Sequence, residues 1–368
     1  MVIENAMNIQ FVLKNFSTFG GVERIQYNLA KKFKNDGHNV SFYILNGDSV
    51  ALDTSHEFII HKGSKSGFIT FLFEIIKLRN NIYKNRIDVV IAAKEQANIA
   101  AFFATIFTKV STIYTRHSAL NVSEQRINER SVLLIYSLLT LSKGKVVTVS
   151  HDLKYSLLKS LPWGKDKIHV CPNPVLTESI YLKSLQPITD FKLPLSYICS
   201  VGRLTRTKGF DVLIQAYKQC ITKELNFPDL VIAGSGEEYA SLVKLTQELN
   251  VADKVHFLGH IDNPYVLMKN SSGFVLSSRN EGLPTVLIEA IALGTNVVST
   301  DCLTGPREIL DGGRIGKLVP VEDVRSLAEA MLTLPLHKLS ESEIREMDRY
   351  SLEQSAIAYF KLFTKKSH

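Results

Sequence analysis

Short runs of β-branched and other apolar residues alternate along the chain with longer stretches in which apolar residues recur at helical spacing. This alternation predicts strand–helix–strand units around parallel sheets, an α/β fold. In the first half it predicts strands at residues 8–13, 39–45, 88–92, 111–115 and 145–149. The helices predicted between them include residues 22–36, 68–85 and 129–141.

Helical periodicity lapses at residues 182–195, where two prolines occur, and the alternation then restarts. The second half predicts strands at residues 196–201, 230–233, 255–258, 273–276 and 296–299. It predicts helices at residues 210–221, 237–249, 265–270, 284–293, 324–333 and 352–363. A length of 368 residues exceeds one ordinary domain. We therefore predict two Rossmann-like domains, residues 1–188 and 189–348, and a C-terminal helix within residues 349–368 that crosses back to the first domain.

Positive charge is concentrated in the first half of a chain whose composition, 45% apolar and 21% charged, is that of a globular protein. Residues 1–185 carry 23 Lys or Arg and 14 Asp or Glu, against 20 and 22 in the remainder, so the halves have net charges of +9 and −2. This asymmetry predicts either a merely solvated basic surface or a polyanionic partner. Basic motifs interleaved with aromatic residues, which a nucleic-acid-binding domain would need, are not found, so an anionic membrane is the polyanion we expect.

Residues 68–86 combine bulky apolar side chains with Lys77, Arg79, Lys84 and Arg86. The pattern predicts either a helix that lies on an anionic membrane surface or a core-facing helix with a basic outer face. No apolar run approaches the ~20 residues needed to cross a bilayer, and the start lacks the features of a secretory signal. Four scattered cysteines fit a reducing compartment. We therefore expect a cytoplasmic protein, with peripheral attachment to the inner face of the plasma membrane as an alternative.

Two carboxylates separated by seven residues, Glu281 and Glu289, follow a predicted strand of the second half. Gly282 and Pro284 are unsuited to a helix interior. Glu281 is therefore predicted on a loop, and Glu289 in the second turn of the helix that follows. Both could also be ordinary solvated acids near a helix start, where acids are favoured.

The start of that helix is a predicted anion site, because the N–H groups of Thr285 and Val286 have no acceptor within the helix. Arg203 and Lys208 follow the strand predicted at residues 196–201. Basic side chains at the end of a parallel strand can neutralise two phosphates at once. Because both segments follow strands of one predicted sheet, we expect them to meet at one edge, in a cleft between the domains.

These segments together resemble glycosyltransferase family 4, a family of retaining enzymes with the GT-B fold. The resemblance rests on Gly-Arg-Leu-Thr-Arg-Thr-Lys-Gly at residues 202–209 and Glu-Gly-Leu-Pro with its second glutamate at residues 281–289. Residues 19–24 resemble the N-terminal glycine loop of the family, and residues 300–310 resemble a segment of bacterial members that build lipid-linked and surface polysaccharides. The likeness covers nearly the whole chain and implies two Rossmann-like domains facing a cleft, the acceptor-binding domain at residues 1–188 and the nucleotide-sugar donor domain at residues 189–348.

The resemblance implies a role for each matching residue. Arg203 and Lys208 would grip the donor diphosphate, Glu289 would hold the ribose hydroxyls of the nucleotide, and the catalytic Glu281 would meet the sugar hydroxyls. The other residues implied in donor binding are Gly20, Gly21, Gly282, Leu283, Pro284, Thr285 and Val286.

His117 occupies the place of a family histidine near the transferred sugar and is the second catalytic candidate. It stands in Arg-His-Ser, where many relatives have His-Asp or His-Asn. An alternative is a histidine of the protein core with no catalytic part.

Breaking a sugar–phosphate bond develops negative charge on the leaving diphosphate, which Arg203, Lys208 and a helix start would stabilise. The chain contains no Asp-x-Asp, the pair through which other transferases hold a divalent ion. We therefore expect metal-independent transfer without a cofactor.

The predicted reaction moves a hexose or N-acetylhexosamine from a nucleotide-sugar donor, UDP-linked, onto a growing bacterial glycan of a lipopolysaccharide, capsule or exopolysaccharide. The acceptor would be lipid-linked or an oligosaccharide. Retention of configuration follows from the resemblance only, and we expect same-face transfer without a covalent intermediate. The alternatives are a sugar-nucleotide 2-epimerase of the same fold and a non-catalytic glycan-binding protein.

Overall fold

A computed structural model describes residues 6–16, 21–47, 57–63, 68–117, 128–187, 192–334 and 338–364. The chain forms two compact units. The N-terminal unit comprises Met1–Pro174 and Ser351–His368, and the C-terminal unit comprises Val175–Tyr350. The first boundary between the two units, after Pro174, therefore comes earlier in the chain than the boundary after residue 188 that the sequence predicted.

The strands of the N-terminal unit are β1 (Asn8–Leu13), β2 (Asn39–Ile44), β3 (Ile59–Lys62), β4 (Val89–Ala93), β5 (Ser111–Arg116), β6 (Lys145–Thr148) and β7 (Ile168–Val170). Its helices are α1 (Gly21–Asn35), α2 (Phe68–Lys84), α3 (Glu95–Thr105), α4 (Glu129–Leu141) and α5 (His151–Ser160). Within the described ranges the strands form one sheet in the order β3-β2-β1-β4-β5-β6-β7, and every pair is parallel.

The strands of the C-terminal unit are β8 (Tyr197–Val201), β9 (Asp229–Ala233), β10 (Val255–Gly259), β11 (Gly273–Leu276), β12 (Val297–Thr300) and β13 (Lys317–Val319). Its helices are α6 (Glu178–Ser184), α7 (Phe210–Lys223), α8 (Tyr239–Glu248), α9 (Pro264–Lys269), α10 (Thr285–Ala292), α11 (Pro306–Ile309), α12 (Val324–Met331) and α13 (Glu341–Arg345). The strands pair in parallel in the order β10-β9-β8-β11-β12-β13. The last helix, α14 (Leu352–Thr364), belongs to the N-terminal unit.

Both sheets are covered on two faces, which is why their central strands are almost continuously apolar. In β1, Ile9, Phe11 and Leu13 pack with α1 and α14, whereas Val12 belongs to the cluster formed with α2, α3 and α4. Tyr359 of α14 is buried in the first of these clusters. The C-terminal helix therefore completes a core whose other members come from the first half of the chain.

Each sheet has one point where the strand order reverses, between β1 and β4 and between β8 and β11. Loops that leave the carboxyl ends of two such strands diverge to opposite faces, and the crevice between them is where doubly wound proteins bind ligands. The predicted two-domain, doubly wound fold is confirmed. The topology also selects the loops after β8 and β11, and those after β1 and β4, as the places to look for a site.

Helix α2 packs against the core of the N-terminal unit and also has an exposed apolar face. Leu78 and Ile82 are buried, but Leu72, Phe73 and Ile76 are 52%, 60% and 56% exposed. We call these three residues the apolar face of α2. None of the helices in the described ranges has the length and hydrophobicity of a membrane-spanning segment.

Candidate functional site

The loops that follow β8 and β11 meet through a direct ion pair. Lys208 Nζ lies 2.6 Å from Glu281 Oε1, and Ser278 Oγ donates a hydrogen bond of 2.6 Å to the same oxygen. Both members of the pair are largely shielded from solvent, so the contact is screened less than a surface ion pair. The structure therefore brings together the cationic and acidic segments that the sequence predicted at one sheet edge.

Gly209 allows this meeting because it turns the chain from Lys208 into α7. Its φ of 65° lies in the left-handed region, and a Cβ there would be 2.2 Å from the carbonyl oxygen of Ser277 at the end of β11. Ser277 Oγ in turn donates to the carbonyl oxygen of Lys208 at 3.0 Å. Any side chain at residue 209 would push the two loops apart.

Arg279 holds the same two loops together, and sequence reasoning missed it. Its guanidinium donates two hydrogen bonds of 2.8 Å to Asp211 on α7 and one of 2.6 Å to the carbonyl oxygen of Arg206, and it also pairs with Glu322. Burial alone would raise the pKa of Asp211, but the hydrogen bonds and charge of Arg279 outweigh it and lower that pKa. Because its partners are 68 and 43 residues away in sequence, no local spacing could reveal this role.

The loop after β12 fixes the backbone around Glu281. Glu281 N donates to the carbonyl oxygen of Leu303 and Thr304 N donates to that of Glu281, each at 2.9 Å. Thr304 Oγ1 also donates to the carbonyl oxygen of Gly282 at 2.8 Å. A Cβ at Gly305, whose φ is 101°, would lie 2.9 Å from Pro284 Cδ. The segment at residues 300–310 thus supports the loop that carries Glu281.

Helix α10 begins at Thr285, with Val286 in its first turn, as the glycine and proline before it predicted. Glu289 lies in the second turn and is only 1% exposed. Leu283 is also buried. Arg203 is exposed on the loop after β8.

Two glycines after β9 support the loop that carries Arg203. A Cβ at Gly234, whose φ is 147°, would lie 1.8 Å from the carbonyl oxygen of Gly202, and one at Gly236 would lie 2.3 Å from that of Leu204. Leu204 N donates to the carbonyl oxygen of Ser235 at 2.9 Å. Close packing of two loop backbones accounts for this glycine pair, and no bound dinucleotide is needed to explain it.

His117 follows β5 in the N-terminal unit. Its Nε2 lies 3.0 Å from Thr115 Oγ1 and 3.4 Å from Gln26 Nε2. The Thr115 hydroxyl donates to the carbonyl oxygen of Ala92 at 2.9 Å. Burial, followed by the charge of Lys94, lowers the pKa of His117 to about 3. The imidazole is therefore neutral at physiological pH and suits hydrogen bonding rather than charge stabilisation.

A buried ion pair positions the strand end that carries His117. Arg116 donates to Glu95 Oε1 at 2.7 Å, and its guanidinium lies 4.9 Å from the centre of the Tyr136 ring. Asn98 Nδ2 donates to the carbonyl oxygen of Thr115 and to the Tyr136 hydroxyl, both at 3.1 Å. Removing one member of such a pair leaves an uncompensated buried charge, at a cost of about 3–5 kcal/mol. The sequence did not predict this network.

Of the two glycines predicted in the N-terminal loop, Gly20 and Gly21, the structure describes Gly21. Gly21 is the first residue of α1, and a Cβ there would meet no described atom within 4 Å. Crowding by the described residues of the N-terminal unit therefore does not explain a glycine at residue 21. Gly20 lies outside the described residues.

Cys302 lies beside the Lys208–Glu281 pair but is not a nucleophile. Burial, followed by the charge of Glu281, raises the pKa of its thiol to about 12, so the thiol stays protonated at neutral pH. In the part of the chain that the structure describes, no three His, Cys, Asp or Glu side chains form a group that could hold a metal ion.

Comparison with protein families gives two matches that together span most of the chain. Residues 19–179 match the model described as Glycosyltransferase Family 4, and residues 185–348 match the model described as Glycosyl transferases group 1. The first match covers the N-terminal glycine segment and His117. The second covers Arg203, Lys208, Glu281 and Glu289.

Individual proteins resemble the chain over most of its length. The N-acetylgalactosamine-N,N'-diacetylbacillosaminyl-diphospho-undecaprenol 4-alpha-N-acetylgalactosaminyltransferase of Campylobacter jejuni is 28% identical over 307 residues, 82% of this chain and 81% of that protein. The crystal structure of a glycosyltransferase from Rickettsia africae has a TM-score of 0.81 at 19% identity, and covers 99% of this chain and 100% of its own. Anabaena HepE in complex with UDP has a TM-score of 0.76 at 16% identity, with coverages of 98% and 100%.

Replacing His117 tests its buried, neutral state. Because its folded pKa of about 3 lies below the ordinary value of ~6.5, the unfolded chain binds more protons at intermediate pH. The contribution of His117 to stability is therefore fully present above pH ~6.5 and is lost as the pH falls towards about 3. His117→Asn should lose less thermal stability than the wild type between pH 7 and pH 4.5, measured as the unfolding midpoint. His151→Asn, which replaces an exposed histidine, is the control, and equal losses in all three proteins would contradict the assignment.

Proposed function

The chain belongs to glycosyltransferase family 4, and we propose that it transfers a hexose or N-acetylhexosamine from a UDP-sugar to a growing, lipid-linked bacterial glycan. The observation that carries the proposal is the contact between Lys208 and Glu281, which lie on loops from the two strands that flank the switch point. It places a cation and an acid side by side at the edge where doubly wound domains bind ligands.

Lys208, Arg203 and the start of α10 are the proposed seat of the donor diphosphate. The N–H groups of Thr285 and Val286 belong to the first turn of α10, where the helix itself offers no acceptor. Together with two cationic side chains, they oppose the negative charge that grows on the diphosphate as its bond to the sugar breaks. The existing ion pair holds Lys208 in place before the donor arrives, so less reorganisation is needed during the reaction.

Glu281 is proposed to accept hydrogen bonds from the sugar hydroxyls, and buried Glu289 from the ribose hydroxyls. The backbone at residues 282–285 would line the sugar and the phosphates, because the contacts from Thr304 and Gly305 fix its path. His117, kept neutral by its burial, is proposed to contact the transferred sugar by hydrogen bonding.

We propose that configuration is retained by same-face transfer. The bond between the anomeric carbon and the diphosphate oxygen breaks, and the acceptor oxygen bonds to that carbon from the same face. The acceptor proton passes to the departing phosphate oxygen, so no enzyme base is needed. The protonated thiol of Cys302 is not available as a nucleophile. Trapping a glycosyl adduct on any carboxylate of the chain would contradict this route.

Metal-independent transfer is part of the proposal. Lys208 and Arg203 supply positive charge at the place where other transferases use a divalent ion. The Campylobacter relative supports a lipid-linked acceptor, since its name specifies a diphospho-undecaprenol substrate, and the UDP complex of Anabaena HepE supports a uridine nucleotide. Relatives named for lipopolysaccharide core biosynthesis in Rhizobium meliloti and for capsular polysaccharide biosynthesis in Staphylococcus aureus favour a polysaccharide of the bacterial surface as the product class.

Kinetics with defined substrates test the proposal. UDP-glucose, UDP-galactose, UDP-N-acetylglucosamine and UDP-N-acetylgalactosamine are each incubated with a short polyprenyl-diphosphate-linked N-acetylhexosamine, with EDTA present. We expect UDP release that depends on the acceptor with one donor. Glu281→Gln should lower kcat on the order of 10²-fold, because a neutral amide holds the sugar hydroxyls less strongly in the transition state than a carboxylate does. Lys208→Met should lower kcat and also raise the donor KM, because Lys208 opposes the charge of the diphosphate both in the bound donor and as the bond breaks.

Lys244→Met is the matched control, since Lys244 forms an exposed ion pair with Glu248 in the same unit. Its kinetics should equal those of the wild type. Wild-type rates for Glu281→Gln would contradict the assignment of the site. UDP release that ignores the acceptor, with a change in the sugar itself, would indicate the 2-epimerase instead.

We also propose that the apolar face of α2 attaches the protein to an anionic membrane, where a lipid-linked acceptor resides. Lys77, Lys84 and Arg86 are exposed cations on or just after this helix. Glu74, the acidic residue of α2, is buried and accepts hydrogen bonds from Tyr43 and Lys77 at 3.1 and 3.0 Å. Exposed apolar side chains beside exposed cations are the combination that binds anionic lipid surfaces.

Vesicle sedimentation tests the attachment. The protein should bind vesicles that contain phosphatidylglycerol, bind phosphatidylcholine vesicles poorly, and dissociate as salt is raised. Replacing Leu72, Phe73 and Ile76 by serine should weaken binding about tenfold or more, because three apolar side chains lose their burial in the membrane. Leu225→Ser, an exposed change in the C-terminal unit, is the control. Absence of binding to anionic vesicles at low salt would end this proposal.

A further inference from the structure

Lys94 directly follows the carboxyl end of β4, one of the two strands between which the strand order of the N-terminal sheet reverses. Its φ of 75° and ψ of 158° fall in a region that essentially only glycine occupies, and it sits there between β4 and the first residue of α3. A side chain in such a conformation persists only where its surroundings hold it, and residues of this kind cluster at binding and catalytic sites.

The side chain of Lys94 reaches Glu23 on α1. Lys94 Nζ lies 2.6 Å from Glu23 Oε1, and the Glu23 side chain is only 6% exposed. The other oxygen, Oε2, is buried and accepts no hydrogen bond from any described residue. A buried carboxylate oxygen without a donor is rare in native proteins, so this atom indicates a missing partner.

The ammonium group of Lys94 can also donate further hydrogen bonds. An ammonium group has three hydrogens, and Glu23 accounts for one. The Lys94 side chain is about one-third exposed, at 34%, so its remaining hydrogens can reach a bound molecule. The pair therefore presents one unused acceptor and at least one usable donor next to each other.

We propose that Glu23 and Lys94 form a subsite for a vicinal diol of a sugar, in which one hydroxyl donates to Glu23 Oε2 and the neighbouring oxygen accepts from Lys94 Nζ. Given the proposed function, on which this inference rests, the sugar belongs to the acceptor glycan. A free anion fits the pair less well because Glu23 would repel it. A cation also fits less well because Lys94 would repel it. A neutral group that both donates and accepts matches both side chains.

Neighbouring residues place the subsite beside His117, the residue proposed to contact the transferred sugar. β4 pairs with β5, whose end carries His117, and the charge of Lys94 contributes to the low pKa of that imidazole. Glu23 and Gln26, which lies 3.4 Å from His117 Nε2, are three residues apart on one face of α1. A sugar held by Glu23 and Lys94 would therefore adjoin His117.

Saturation-transfer NMR and kinetics on the full-length protein test the subsite. The NMR probes are the methyl glycosides of glucose, galactose, N-acetylglucosamine and N-acetylgalactosamine. The wild type should bind at least one of them, and Glu23→Gln and Lys94→Met should weaken that binding about 10- to 100-fold, since each removes a hydrogen bond to a charged group. In turnover with the polyprenyl-diphosphate-linked sugar, the same variants should raise the acceptor KM by a similar factor while the donor KM stays within about twofold.

Two further variants separate recognition from folding. Lys94→Gly combined with Glu23→Gln removes both charges and relieves the backbone strain, so it should unfold at or above the wild-type temperature yet bind no glycoside. Lys32→Met, which breaks the ion pairs of Lys32 with Asp36 and Glu353 in the same unit, should leave glycoside binding and acceptor KM unchanged.

The outcomes are distinct. Wild-type glycoside binding and acceptor KM in both Glu23→Gln and Lys94→Met would overturn the subsite, as would a wild-type protein that binds none of the glycosides. A protein without acceptor-dependent UDP release would refute the proposed function, while the NMR measurement would still decide whether Glu23 and Lys94 bind a diol.

Discussion

Lys208 and Glu281 can meet only because β8 and β11 are neighbours at the reversal of the strand order, although the two residues are 73 positions apart in sequence. The contact is supported from three sides. Gly209 removes the side chain that would collide with β11, Arg279 ties α7 to the loop after β11, and Thr304 fixes the backbone on either side of Glu281. A diphosphate would thus find its cation already positioned, and preorganised charge is what stabilises a transition state most effectively.

The carboxyl edge of the N-terminal sheet uses charge differently. Two ion pairs lie there, the fully buried Glu95–Arg116 pair and the Glu23–Lys94 pair, in which the carboxylate is buried and Lys94 is about one-third exposed; His117 is kept neutral by burial. Buried groups of this kind favour hydrogen bonds with fixed geometry over long-range attraction, because each unpaired charge would be costly. That environment suits recognition of hydroxyl groups, whereas the C-terminal unit presents the cations that a diphosphate needs.

Alternating apolar runs predicted the doubly wound sheets, and the position of Pro284 predicted the start of α10, because both depend on residues close together in sequence. Strands β3, β7 and β13 were missed because they are short strands at the edges of the sheets and lack the continuous apolar run of the central strands. Lys208 and Glu281 were expected near one another, but their direct contact, the clamp made by Arg279 and the strained conformation of Lys94 depend on distant partners. No spacing within the sequence carries that information.

Calorimetric titration with UDP, in EDTA, tests most directly whether the loops after β8 and β11 form a metal-independent diphosphate seat. The wild type should bind UDP, Lys208→Met should bind it about tenfold or more weakly, and Glu281→Gln, whose amide oxygen can still accept a hydrogen bond from Lys208 Nζ, should bind it more tightly than Lys208→Met. Equal affinity in the wild type and Lys208→Met, or no binding by the wild type, would contradict the proposed seat.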